Sequence, residues 1–389
     1  MNTGLLKTAL LGSVLALALS AGAAHASFRV VHSFAGGSSD GASPFGGIAP
    51  AGHGGFYVAT DGGGSSNLGT LTLIHKDGTA SVLHTFTGGS DGQNADGTPI
   101  AWPVDGNVYG TTKFGGSAGC GTIYKYTPAQ GAYRQLYAPQ CAPDSAFPFS
   151  GFVDAGGALE ATTSNGGDND DGTLIFVRSD GSSGTACANS FAGRNGSNPY
   201  AGIIPASGNE YTVTTAGGTN DLGAIVEFQG FTCNTSVLHS FAGGSDGAAS
   251  YGTLLSYNGA LYGTTANGGS GGNLGTVFRI DPDGSNYTVL HAFQGICCGK
   301  DGSFPHSGLT LNVTDGMLYG TTINGGNSSD NGTVFKINPS TGVEKIVHSF
   351  RGSDGAHPYG GLYIKKGTIY GTAAAGGAHN LGVVFKLKT

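Results

Sequence analysis

Short runs of alternating apolar and polar residues recur along this chain, separated by clusters of glycine, asparagine and aspartate. One stretch shows the pattern whole. YGTLLSY (251–257) is an apolar run, Asn258-Gly259 makes a turn, and ALYGTT (260–265) alternates again. ANGGSGGNLG (266–275) is a loop, GTVFRID (275–281) a third run, PDGSN (282–286) a turn, and YTVLHAF (287–293) a fourth run. Period-two alternation bounded by such turns predicts four short strands joined by tight hairpins. Between the turn signals no segment sustains the 3.6-residue apolar spacing of a helix.

The unit repeats. Its last run appears as VVHSF (30–34), VLHTF (82–86), VLHSF (237–241), VLHAF (289–293) and IVHSF (346–350), with degenerate copies QLYAP (135–139) and CANSF (187–191). From final residue to final residue the steps are 52, 53, 52, 50, 52 and 57. A period near 50 carrying four strands is that of a β-propeller blade, longer than a WD40 unit and close to a kelch unit. After an N-terminal leader the chain opens on the fourth-strand sequence FRVVHSF and stops on the third-strand sequence GVVFKLKT. Pairing these two closes a ring and removes two exposed sheet edges. The expected fold is all-β: one domain over 27–389, a seven-bladed propeller of four-stranded blades, its last blade built from 359–389 plus 28–34. A parallel β-helix is the competing architecture, but its coils are usually shorter and need no end-to-end complementation.

The units LYGTT-x-x-GG…GTVF…LHSF resemble the bacterial extracellular tandem repeats called GloVer, found in choice-of-anchor proteins, over essentially all of the chain after the leader. The resemblance implies exported repeat proteins, many with varied C-terminal sorting anchors, and assigns no activity. Ending on the strand GVVFKLKT departs from the anchored pattern and favours release.

The leader itself is MNTGLLK, a short apolar run and the small-x-small site Ala24-His25-Ala26, a secretory signal peptide over 1–26. That run is too short to span a bilayer, and no later segment has the length. A secreted monomer, periplasmic or extracellular, with no membrane anchor is expected. The formal net charge is −7, or −8 once Lys7 leaves with the leader, which makes a poor nucleic-acid binder. Gly is 74 of 389 residues, yet regular Val, Leu, Ile, Phe and Tyr spacing argues for punctuation rather than disorder. Six cysteines in an exported chain suggest disulfides. Cys120 and Cys141 lie in neighbouring loops that can pair, the adjacent Cys297 and Cys298 can bridge each other or pair elsewhere, and Cys187 and Cys233 are left as a third pair, so the connectivity stays open. None has the CxxC spacing of a structural zinc site.

Blades are linked by D-G-x-x-P segments, read at Asp40, Asp96, Asp144, Asn195, Asp246, Asp301 and Asp354. Asp-Gly suits a turn and Pro fixes entry to the inner strand. A carboxylate ring could take calcium, but calcium needs six to eight converging oxygens, so the Asp residues read as structural and no cofactor is expected. The position after Pro carries Phe45, Phe149, Tyr200, Tyr251 and Tyr359, with His306 in one copy, at the mouth of the central channel. These aromatics either stack on sugar rings or pack between blades. His32, His84, His239, His291 and His348 sit on outer strands of separate blades and read as structural rather than metal ligands.

Function is expected where copies disagree. Blade 2 carries the only tryptophan, Trp102, and Lys113; blade 3 carries Glu160 and an acidic loop with Asp168, Asp170 and Asp171; the link into blade 4 carries Arg194. Glu160 stands where other copies have tyrosine, on the strand face of Thr162 between blades. A carboxylate there costs several kcal/mol unless paired or hydrogen-bonded, so Lys113 or Arg194 is the natural partner; an ion pair, a site carboxylate or simple decay of the repeat would each account for it. Two function classes follow. The favoured one is a secreted module binding a glycan through the loop face of blades 2–4 and the channel mouth, with Trp102, Phe149, Tyr200, Tyr251 and Tyr359 as contacts. The other is a carbohydrate-active enzyme: a lyase with His306 or Tyr200 as base and Arg194 or Lys113 as cation, or a hydrolase using Glu160 with Asp168 or Asp170. A protein-interaction scaffold is the third reading.

Overall fold

The computed structural model describes residues 27–149, 151–154, 158–182, 184–187, 191–229, 232–296 and 301–388. The leader and Cys297 and Cys298 lie outside them. Among the described residues, seven four-stranded antiparallel sheets form the blades of a β-propeller, with no α-helix. Blades 1 to 6 span 48–85, 100–137, 153–187, 204–240, 255–292 and 310–349, each running from the channel outward, and the blade 3 sheet gains an extra short strand, Ser145–Pro148, from its link. Blade 7 combines Tyr363–Lys365, Thr368–Ala373 and Val383–Lys388 with Ser27–Ser33 from the other end of the chain. Phe28 pairs with Leu387 and Val30 with Phe385, so the ring closes as the repeat pattern requires.

The LYGTT and GTVF motifs meet within each blade, and their side chains explain why they recur. The last Thr of one strand faces the first Thr of the next: Thr265 and Thr276 hydroxyls lie 2.8 Å apart, as do Thr60 and Thr70, Thr112 and Thr122, Thr163 and Thr173, and Thr322 and Thr333. These buried hydroxyls satisfy one another. The preceding Thr donates across to the next blade, Thr264 to Ser307 O at 2.9 Å and Thr372 to Gly46 O at 2.6 Å. The motif glycine answers an aromatic ring. A Cβ on Gly263 would sit 2.4 Å from the ring of Phe278 opposite it. Where that ring is lost the glycine is lost too: Ala161 opposes Ile175, and Thr212 opposes Val226.

Between blades, the motif tyrosine packs on an apolar residue of the next blade's second strand. Tyr211 meets Leu261, Tyr262 meets Leu318 and Tyr319 meets Ile369, all in single buried clusters. The outer edges add a second contact. His239 bonds Asp246 at 3.0 Å and stacks on Tyr287 of blade 5 at 3.8 Å; His84 does the same with Asp91 and Tyr133. Among the described residues two disulfides form, Cys120–Cys141 within the blade 2 loops and Cys187–Cys233 from blade 3 to blade 4.

Candidate functional site

The links between blades share a backbone contact that fixes their register. Ser43, Asn94, Phe147, Asn198, Ala249, Phe304 and His357 all have φ between 52° and 57°. Each donates its N–H to a carbonyl in the preceding blade's loop at 2.8–2.9 Å. Phe147 and Phe304 tolerate a left-handed backbone that side chains of their size rarely adopt, because this bond recurs seven times around the ring. Two residues on, every copy points one side chain at the channel mouth: Phe45, Asp96, Phe149, Tyr200, Tyr251, His306 and Tyr359.

Asp96 is the correction this register brings. The sequence reads SDGQNADGT, with two Asp-Gly dipeptides five residues apart, and the second was aligned with Asp40. The first is its true equivalent: Asp91 accepts from His84 and from the Thr87 N–H, as Asp40 accepts from His32 and the Ala35 N–H. Asp96 instead fills the place that six other copies give to an aromatic ring.

Those six rings touch in sequence. Centroids lie 5.3 Å apart for Phe149–Tyr200, 5.5 Å for Tyr200–Tyr251, 4.1 Å for Tyr251–His306, 5.5 Å for His306–Tyr359 and 5.1 Å for Tyr359–Phe45. The belt is open only at Asp96. The rings bound a cavity of about 460 Å³ whose remaining lining is Asp61, Asp96 and Lys113. Asp61 and Lys113 follow the GTT-type strands of blades 1 and 2, so the polar corner comes from adjacent loops.

Electrostatics set the protonation at this corner. Asp96 is only 8% exposed, its Oδ1 has no partner, and its carboxyl contacts that of Asp61. Burial first, then the Asp61 charge and hydrogen bond, push Asp96 up to about 8, against the pull of Lys113. The pair therefore holds one proton near neutrality, with Asn94 Nδ2 donating to Asp61 Oδ1 at 2.9 Å. Burial pushes His306 down to about 4, so its imidazole is neutral. Burial also raises the Tyr251 and Tyr359 hydroxyls.

Other sequence candidates lie elsewhere. Trp102 is 5% exposed and packs edge-on to Tyr109 at 5.5 Å in the seam between blades 2 and 3, away from the cavity. Arg194, Asp168 and Asp170 are exposed on loops outside the lining, and Asp170 accepts from the Gly166 N–H at 2.7 Å as a turn residue. The lyase set thus loses Arg194 from the cavity that holds His306, Tyr200 and Lys113.

Glu160 is the second correction. It is 1% exposed, and its partner is neither Lys113 nor Arg194 but Glu210 of blade 4, itself 0% exposed. Glu210 stands where the next copy has Leu261. The seam between blades 3 and 4 has thus replaced tyrosine-on-leucine with carboxyl-on-carboxyl, and Glu160 Oε2 and both Glu210 oxygens lack any donor from the rest of the protein. Burial, then the hydrogen bond and charge of Glu210, raise Glu160 to about 9. Enclosed this way, Glu160 cannot form a hydrolytic pair with Asp168 or Asp170.

A family profile, the Gloeobacter/Verrucomicrobia repeat, matches residues 11–185 and 175–385, and the chain belongs to that family. No curated protein matches the sequence. Among solved structures, the extracellular domain of a one-component system of B. thetaiotaomicron is similar over 92% of this chain and 39% of its own, at 13% identity and TM-score 0.57. An oligogalacturonate lyase in complex with manganese matches at 13% identity and TM-score 0.53, covering 86% of this chain and 85% of its own. A puromycin hydrolase matches at 14% and 0.53, covering 85% and 50%. These likenesses are of fold. Among the described residues no helix is long and apolar enough to cross a membrane.

Proposed function

We propose that this member of the family is an extracellular binding module that takes a carbohydrate at the channel mouth. The observation that carries the reading is the belt of six touching aromatic rings broken by one carboxyl corner. A sugar ring offers an apolar C–H face to aromatic side chains and hydroxyls at its edge, the combination that such a lining suits. The Asp96 proton bridges to Asp61, the remaining oxygens of the pair accept from hydroxyls and Lys113 donates, so three side chains orient what the rings hold. Of the two places expected from the sequence, the loop face of blades 2–4 and the channel mouth, this reading keeps the channel mouth, with its polar groups on blades 1 and 2.

Binding is favoured over catalysis by the geometry of the acids. Asp61 and Asp96 are in hydrogen-bond contact, inside the ~5–5.5 Å that a retaining glycosidase needs between its carboxyls. The test is a panel of polysaccharides and oligosaccharides scored for protein retention and for released reducing or unsaturated ends. Retention without products is expected, weakened at least tenfold by Asp96→Phe, which completes the belt and leaves the fold intact by circular dichroism. Unsaturated products would establish a lyase instead, and retention by no glycan would leave the propeller as a protein-interaction scaffold.

A further inference from the structure

Three of the outer seams repeat one arrangement, and a fourth keeps its His–Asp pair under a different covering residue. His84, His239 and His348 each bond the Asp of the following link and lie flat beneath Tyr133, Tyr287 and Phe28, the ring that opens the next blade's outer strand, at 3.8 Å. Between blades 5 and 6 the pair persists, with His291 Nε2 3.0 Å from Asp301 Oδ2. The covering residue, at the first position of Glu344–Ser349, is a carboxylate.

We propose that His291, Asp301 and Glu344 form a site for a divalent first-row transition metal of the zinc class, clamping the outer strands of blades 5 and 6. One ligand atom from each lies within 4.8 Å of the others. Glu344 is half-buried, and its Oε1 is shielded from water without a hydrogen-bond partner, so this oxygen has given up water for nothing the protein supplies. A tyrosine here would cover the pair at no electrostatic cost, whereas Glu344 brings a second carboxylate up to Asp301. A cation offsets both. One imidazole nitrogen and two carboxylate oxygens suit zinc and its neighbours and are too few oxygens for calcium. Asp301 is already oriented from outside, accepting the Gln294 N–H at 2.9 Å on Oδ2 and the Gly302 N–H at 2.6 Å on Oδ1. On binding, the metal takes the lone pair of His291 Nε2, and the ring proton sits on Nδ1 instead.

The experiment uses the full chain after its leader, stripped with chelator and titrated with Zn²⁺ alone by calorimetry, then with Co²⁺ by absorption. The expected result is one equivalent bound, a raised thermal midpoint, and cobalt bands without thiolate charge transfer. Glu344→Tyr installs the covering ring found at three other seams, so it should fold normally yet bind at least tenfold more weakly. Cys297→Ser with Cys298→Ser should leave affinity unchanged. No Zn²⁺ uptake by the parent protein, parent-like affinity in Glu344→Tyr, or loss of binding in the double serine variant would each overturn the proposal.

Discussion

The seam between blades 6 and 7 and the seam between blades 3 and 4 occupy equivalent places in the ring and are held by opposite means. In the first, Tyr319 packs on Ile369 inside a buried apolar cluster, and its hydroxyl donates to Asp315 at 2.7 Å at the rim. In the second, Glu160 faces Glu210 with three carboxyl oxygens lacking outside donors. The outer contact differs as well: His348 bonds Asp354 and stacks on Phe28, whereas Asn195 reaches Thr235 at 2.7 Å. A covalent bond, Cys187–Cys233, spans only the poorer of these two seams. The difference teaches that a closed ring tolerates a carboxyl pair in one seam when buried apolar residues of both blades, among them Leu174, Val226 and Phe228, and a disulfide hold the two blades in place.

The largest effect should come from moving one glutamate into the good seam. Tyr319→Glu leaves a lone acid against Ile369, with no second carboxyl to share a proton, and should cost about 3–5 kcal/mol in urea unfolding. Removing the staple comes next. Cys187→Ser with Cys233→Ser opens a loop of separation 46, worth about 4 kcal/mol on the chain-entropy account; hydrogen exchange should rise first in blades 3 and 4. An equal rise around the whole ring would refute the view that this seam depends on the disulfide.

Restoring the common pattern is the third test. Glu160→Tyr with Glu210→Leu replaces the carboxyls by the pair found at other seams and should stabilise by about 1–4 kcal/mol, whereas a loss would show that the seam has diverged too far to repack. The smallest effect is a pH slope. Glu160 is raised from 4.5 to about 9 in the folded protein, so its contribution is full below pH 4.5 and is lost as pH climbs towards 9. Asp96 shifts the same way, so the informative quantity is the parent minus Glu160→Gln/Glu210→Gln. That difference should decline steadily across the window, and a flat line would mean the pair is not sharing a proton.

Much of this was legible in the residues. The repeat gave blade number and strand order because each blade is built from its own local turns and alternation, and the closing strand followed from which strand types stood at the two ends. Both disulfides are among the pairings the sequence left open, and six of the seven channel positions are legible, five directly after a proline and Tyr251 after Ser250 in the matching segment. Asp96 was missed because its copy has Ala95 where the others mostly have proline, and a second Asp-Gly drew the alignment away. Trp102 looked like a surface ligand because it is unique, but rarity says nothing about burial.

What the sequence determined by itself is whatever depends on contacts within one repeat: strands, turns, the threonine pairs, the exchange of glycine and aromatic between adjacent strands. What only the tertiary structure decided is whatever depends on two repeats at once. Glu160 could be recognised as odd, but its partner sits fifty residues on and one strand position away from the matching slot, on the opposite face of the next sheet. The aromatic belt, the Asp61–Asp96–Lys113 corner and the His291–Asp301–Glu344 cluster arise in the same way. Each is made by side chains brought together by closure of the ring, and closure is a property of the whole chain that no single copy of the repeat encodes.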